Sequence, residues 1–267
     1  MGLQKIERNS VSDAVYDQLS REILEGRMSA GQTLPAERAL CQMLGVNRGA
    51  VREALKRLSQ AGLVQVRHGG GATVLDFRET AGMDLLSGLL FSSDGGIDMK
   101  VARSVIEMRA AIGPDVARRC AQRRGPALVE RLRGRYQQML EDVDDVESLQ
   151  THDIEFWQLL VEGADNIAYR LAYNSLRATY EQVSDVLVHT LQEEFTHMGD
   201  HEALLEAIVA GDPDVAETTA RTLLRRGTEP MLALIDVLTP NMKAAAVDAP
   251  TADAPASQTT KETEHDS

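Results

Sequence analysis

Thiols are scarce in this chain of 267 residues: Cys41 and Cys120 are the only two, and they form no CxxC. That excludes a disulfide framework and fits a reducing, cytoplasmic compartment. No run of 18 apolar residues occurs, so no membrane span is expected. The opening MGLQKIERNS lacks the apolar core of a secretory signal. There is no Ser-His-Asp order, no P-loop and no GxGxxG, which argues against the enzymes those arrangements mark. Internal repeats are also missing. The length suits one or two domains with sizeable cores.

Positive charge is short overall, with a formal net charge of −13. The deficit is uneven. Residues 1–77 hold ten Lys/Arg against eight Asp/Glu, whereas residues 78–267 hold eighteen against thirty-three. The acidity therefore belongs to the second part. A net +2 over the first part is a weak electrostatic footprint, so a nucleic-acid reading rests on where the charges stand.

What is present in the first block reads as helix, helix, turn, helix and strand pair. Val11, Val15, Leu19 and Ile23 recur every four residues beside Tyr16 and Leu24, giving one apolar stripe that Gly26 ends. Pro35 suits the opening of a second helix, with Leu40, Met43 and Leu44 on its apolar side and Gly45 at its stop. Asn47 is a good N-cap for a third helix over about 48–60. Leu63–Arg67 and Ala72–Leu75, around the glycine-rich tip His68-Gly69-Gly70-Gly71, read as a hairpin.

From about residue 80 the pattern is helical, over roughly 80–91, 98–121, 127–142, 146–162, 166–189, 191–210 and 213–237, with a kink or break expected at Gly113-Pro114. Residues 240–267, rich in Ala, Pro, Thr, Asp and Glu without apolar period, read as a disordered tail. The fold class is mainly α. A winged helix-turn-helix is expected over 1–77, an all-helical bundle for sensing and dimerisation over 78–239, and the tail over 240–267.

Within the third helix, Val51, Ala54, Leu55 and Leu58 cover one face, and Arg48, Arg52 and Lys56 line an adjacent stripe with small Gly49 beside them. A helix docked by its apolar face and presenting arginine from its N-terminal half suits the major groove, where arginine pairs with guanine. An ordinary solvated basic face is the bland alternative; the short preceding helix, three-residue turn and glycine-tipped hairpin weigh against it. Arg57 points away from the stripe and reads as a solvated charge.

Gly31-Gln32-Thr33-Leu34-Pro35-Ala36-Glu37-Arg38, Leu44 to Leu55, Gly62-Leu63-Val64 and Arg67 to Gly71 together resemble the GntR superfamily of bacterial transcription regulators, over about residues 11–75. The resemblance implies that Arg38, Arg48 and Arg52 contact DNA and that the wing tip, His68 and Gly69, enters the minor groove. Asn47 and Gly49 stand where the family usually has Ser or Thr. Left to the residues alone, Arg38 could be an ion-pair partner and His68 a turn residue.

The helical remainder resembles the FCD domain of the FadR subfamily. The landmarks are Glu107-Met108-Arg109, Asp153-Ile154-Glu155-Phe156-Trp157, Gly163 to Asn166, His201 to Ile208 and Gly211-Asp212. Many such domains are implied to hold a divalent metal on one Asp and three His. Here Asp153 and His201 match, while Trp157 and Leu223 replace the other two and cannot ligate. No cofactor is therefore expected, with Asp153 and His201 left as weak metal candidates or as a hydrogen-bonded pair. His197 is the one substitute ligand, or a surface histidine. His152 and His189 read as bland, and Asn166 as a helix N-cap.

Apolar Trp157 and Leu223 favour an apolar or amphipathic effector. The subfamily's namesake senses long-chain acyl-CoA without a metal, and the LPAER and RHGGG segments resemble that branch. Arg109 is a candidate for an anionic effector group, or else a structural ion pair with Glu107 or another helix. The expected pocket thus comprises Arg109, Asp153, Trp157, His201 and Leu223. The expected function is a non-enzymatic, homodimeric repressor or dual regulator, binding an inverted repeat in double-stranded DNA under control of an effector, with acyl-CoA foremost. The alternative is a metal-dependent sensor of a small organic acid controlling a catabolic operon.

Overall fold

The structure is a computed structural model that describes residues 11–67, 71–91 and 96–247. Its elements in chain order are α1 (Val11–Leu24), α2 (Glu37–Leu44), α3 (Arg48–Gln60), β1 (Val64–Val66), β2 (Ala72–Val74), α4 (Phe77–Thr80), a 3-10 turn (Met83–Leu85) and α5 (Leu86–Leu90). There follow α6 (Met99–Arg123), α7 (Pro126–Glu141), α8 (Val146–Gly163), α9 (Ile167–Glu181), α10 (Ser184–Leu187), α11 (Gln192–Thr196), α12 (Met198–Ala210) and α13 (Pro213–Val247). Among the described residues no helix is long and apolar enough to cross a membrane.

The first core forms because α1, α2 and α3 each offer one apolar stripe. Val15, Leu19, Ile23, Leu40, Val51, Ala54, Leu55 and Leu58 are buried together with Leu63, Val64, Ala72 and Val74 of the hairpin. β1 and β2 are antiparallel, with Val64 opposite Val74 and Val66 opposite Ala72. The turn before α2 joins this hairpin: the Gly31 amide donates to the Val74 carbonyl and the Leu34 amide to the Ala72 carbonyl, both at 2.8 Å. Extended Gln32–Leu34 thus acts as a third rung that fixes the wing to the helices. Pro35 stands two residues ahead of α2 rather than at its first turn, because the chain is still bound to the wing there.

In the second core α6 and α13 lie along each other, with α7, α8 and α12 packed against them. Three expected boundaries differ. Pro114 lies inside α6 without ending it; Gly113 beside it is packed against Leu224 of α13, so tertiary contact holds the helix across the proline. The stretches 166–189 and 191–210 each divide in two. Val183 between α9 and α10 (φ −128°, ψ 5°) and His197 between α11 and α12 (ψ 75°) leave helical geometry. Finally, α13 continues to Val247, past the expected start of the tail at residue 240, through helix-favouring Lys243-Ala244-Ala245-Ala246. Residues 248–267 of the expected tail lie outside the described residues.

One segment serves both cores. Leu85 and Leu89 pack into the winged-helix core, while Leu90, the next residue, lines a cavity in the helical bundle.

The exit from α3 depends on Gly62. Its φ is +75°, and a Cβ there would lie 2.5 Å from the Thr80 carbonyl oxygen. Only glycine takes that conformation at low cost and leaves room for α4. Gly62→Ala is therefore expected to destabilise the protein by more than about 1 kcal/mol. Urea unfolding checks this, and an unchanged midpoint would contradict it.

Candidate DNA-reading face and effector cavity

The third helix presents its basic stripe as the periodicity requires. Ala50, Val51, Ala54, Leu55 and Leu58 are buried, while Arg48, Gly49, Arg52 and Lys56 are exposed. Asn47 caps the helix: its side-chain oxygen accepts from the Ala50 amide at 2.9 Å, so that oxygen is occupied. Arg52 is 68% exposed, and its Nε donates to Glu37 of α2 at 2.8 Å. An exposed pair of this kind is weak, so it orients the guanidinium without withholding it from a phosphate or base. Arg38 is exposed on α2, and Glu37 rather than Arg38 makes this link to α3. His68 and Gly69 lie outside the described residues, while Arg67 at the base of the wing is exposed.

Arg57 corrects its expectation as a merely solvated charge. It is half-buried, pairs with Asp13 of α1, and stacks 4.3 Å from the centre of the Tyr16 ring. It clamps α1 to α3, a role visible only once the two helices cross.

In the bundle, α6, α8, α9 and α13 enclose a cavity of about 250 Å³. Its walls are mostly apolar; Ile106, Ile112, Trp157, Tyr173, Leu224 and Ile235 are representative. Of the expected pocket residues, Arg109, Asp153 and Trp157 line it. Leu223 does not. It is fully buried in the core, and Leu224, one residue and 100° further round α13, faces the cavity instead. His201 is likewise fully buried behind the wall, where it meets Asp153.

Two ion pairs stand beside this cavity. Arg109 of α6 grips the carboxylate of Glu194 of α11 with both terminal nitrogens, Nη1 to Oε2 at 3.1 Å. The Glu194 side chain is 1% exposed. Burial pushes its carboxyl up to about 7, against the opposing pull of Arg109. The sequence reading missed Glu194. Its signal was phase: it lies three residues after Leu191 and seven after Leu187, on an apolar stripe where a solvated glutamate does not belong. Gly227 of α13 permits the arrangement, because a Cβ there would collide with the Glu194 carboxylate. Arg109 is thus engaged by another helix, which is the structural alternative weighed for it, and Glu107 is not its partner.

Asp153 and His201 form the second pair. His201 Nε2 lies 2.9 Å from Asp153 Oδ1, and Nδ1 lies 3.2 Å from the His197 carbonyl. Both partners only accept, so both ring nitrogens donate and the imidazolium is favoured. Burial acts most strongly against that charge, but the bond to and attraction of Asp153, the His197 carbonyl and Glu194 together outweigh it, and the ring's pKa is raised. Among the described residues no group of three or more His, Cys, Asp or Glu comes together. The donor set does not fit a divalent ion. His152 is engaged elsewhere, with Nε2 2.9 Å from Asp142, and Asn166 caps α9 by accepting from Ala168 at 3.0 Å.

Three further hydroxyls and amides are satisfied around the cavity. Tyr173 donates to the Ile154 carbonyl at 2.6 Å, Gln150 donates to Tyr180 Oη at 2.5 Å, and Tyr169 donates to Asp115 at 2.5 Å. Burial holds the Tyr173 and Tyr180 hydroxyls well above the ordinary tyrosine range. The cavity therefore offers apolar surface with its charges cancelled in pairs.

A winged helix-turn-helix with an exposed arginine stripe, joined to a helical bundle around an apolar cavity, defines a DNA-binding transcription regulator. The chain belongs to the gntR family of bacterial regulatory proteins, whose model matches residues 11–74, and it carries an FCD domain over residues 104–226. The HTH-type transcriptional regulator Mce2R of Mycobacterium tuberculosis is 42% identical over 235 residues, covering 88% of this chain and 97% of that relative. A fatty acid metabolism regulator protein of Shewanella frigidimarina is 31% identical over 166 residues, covering 61% of this chain and 66% of that one. A solved structure of Lar, described as controlling expression of the Listeria monocytogenes agr system, shares the fold at TM-score 0.54 and 18% identity, covering 86% of this chain and all of that one. These relatives are transcriptional regulators, not enzymes.

The raised carboxyl of Glu194 has a measurable sign. Folded protein holds that proton more tightly than unfolded protein, whose glutamates titrate near 4.5. Its contribution to stability is therefore lost as pH rises from about 4.5 towards about 7. Glu194→Gln, which cannot titrate, should flatten the pH slope in that interval. Unfolding midpoints at pH 5 and pH 7.5 check this; an unaltered slope would refute it.

Proposed function

We propose that this regulator binds an inverted-repeat operator as a homodimer and that a long-chain acyl-CoA, with its acyl chain in the helical cavity, releases it from DNA. Residues 1–77 carry the DNA contacts and the helical part carries sensing and dimer contacts. The apolar cavity of about 250 Å³ is the observation that supports the effector. It lies just below the roughly 300–1,000 Å³ common for small-molecule pockets. Burying an acyl chain there contributes about 25 cal/mol per Å². The nucleotide head remains outside, since Arg109, first considered for an anionic group, is held by Glu194. The relative named as a fatty acid metabolism regulator points the same way.

The route from cavity to DNA is short. Leu90 lines the cavity and Leu89 beside it packs on the winged helix, so an occupant that moves α5 also moves the DNA-reading unit. Coupling of this kind is reciprocal: operator DNA must weaken effector binding by the same factor.

On DNA, Arg38, Arg48 and Arg52 read or clamp the major groove. Gly49 leaves room for the backbone, Asn47 holds the helix start, Lys56 meets phosphate, and His68 and Gly69 extend the wing to the minor groove. Arg48→Ala and Arg52→Ala should each remove about 1–3 kcal/mol of operator binding and relax base preference, while Lys56→Ala weakens all sequences more evenly. Fluorescence anisotropy on operator and scrambled duplexes measures both effects; intact selectivity in Arg52→Ala would sink the assignment.

Titration of the protein–operator complex with palmitoyl-CoA, free CoA and a chelator tests the effector. Release is expected with palmitoyl-CoA alone. Release by chelator, or by a small carboxylate with indifference to acyl-CoA, would overturn it in favour of a metal-dependent sensor. Sedimentation should show a dimer both free and on DNA; a monomer in both conditions would refute the two-fold arrangement.

A further inference from the structure

The basic stripe of α3 carries three cations, Arg48, Arg52 and Lys56, and among the described residues only Arg52 has an acidic partner. That partner is Glu37, the first residue of α2. The two side chains are unequal. Arg52 stands in solvent, whereas Glu37 is largely covered, at 24% exposed. Glu37 also lies in the first turn of its helix, where the helix dipole favours an anion. Glu37 is therefore the fixed member and Arg52 the one it holds. The contact uses Arg52 Nε, 2.8 Å from Glu37 Oε2, and neither Nη1 nor Nη2 has a partner among the described residues. A guanidinium donates in one plane. Holding Nε restricts that plane and leaves both Nη groups free, and two parallel donors are what guanine O6 and N7 accept.

We propose that Glu37 is a positioning residue for base reading, which lowers general affinity for DNA and raises selectivity by aiming the Arg52 fork at guanine. This rests on Arg52 reading DNA and names the side chain that makes the reading selective. The acid is otherwise out of place. An exposed pair adds little stability, and a carboxylate beside the stripe weakens attraction to every nearby phosphate. The domain has little positive charge to lose, with ten Lys/Arg against eight Asp/Glu over residues 1–77. Bound DNA excludes water from the pair and reduces its screening, so the contact tightens where the reading is done. Without Glu37, Arg52 keeps its charge but loses its direction, and phosphate oxygens compete with guanine for it.

In the test, full-length protein first selects its preferred duplex from a pool of random sequence. Competition against duplexes with one guanine replaced then gives the preference at each position, and Arg52→Ala identifies the guanine that Arg52 reads. At that position Glu37→Ala should reduce the preference about 3- to 10-fold, as loss of one orienting hydrogen bond implies. Glu37→Gln, which keeps an acceptor, should retain most of it. Both variants should bind random duplex more tightly than unaltered protein. Glu53→Gln removes the same charge from the exposed side of α3 and should leave the guanine preference intact. In an Arg52→Ala background, Glu37→Ala should cost no further preference. An unchanged guanine preference in Glu37→Ala, with tighter binding to every duplex, would show that Glu37 acts as a charge alone and overturn the proposal. Equal loss of affinity for all duplexes in Glu37→Ala would mark a structural role and overturn it as well. If Arg52→Ala loses no guanine preference at any position, the reading by Arg52 falls and this inference with it.

Discussion

Two acidic side chains buried beside one cavity, Asp153 and Glu194, constrain the whole helical domain. A carboxylate cannot leave water alone without a large penalty, so each requires a partner fixed in place. The partners come from different helices: His201 of α12 answers Asp153 of α8, and Arg109 of α6 answers Glu194 of α11. Four helices are thereby held in register around the space they enclose.

That arrangement also shapes what the cavity can recognise. Its ionic groups are spent on one another, so what faces an occupant is chiefly aliphatic and aromatic surface. The α5 segment then joins this domain to the DNA-reading one through adjacent leucines that belong to different cores.

Much of the winged helix was legible beforehand because its signals are local. The Asn47 cap, the Val51-Ala54-Leu55-Leu58 stripe and the glycine-tipped hairpin are each fixed by residues within a few positions of one another. What was missed nearby, the clamp of Arg57 on Asp13 and Tyr16, spans 44 residues between Arg57 and Asp13 and depends on how α1 crosses α3. In the bundle, helix existence was readable from apolar period, but the division of 166–189 and 191–210 was not, since each stretch keeps a nearly continuous apolar phase across its break.

The sequence by itself determined the class of protein, the elements of the winged helix up to its hairpin and the exposed basic stripe of α3. These follow from residue type and spacing along single helices. Only the tertiary structure decided that Arg109 belongs to Glu194, 85 residues away, that Asp153 belongs to His201, 48 residues away, and that Leu224 rather than Leu223 faces the cavity. The reason is geometric: period and caps are set within one or two helical turns, whereas the partner of a buried charge and the exact angle of a wall residue are set by how distant helices pack.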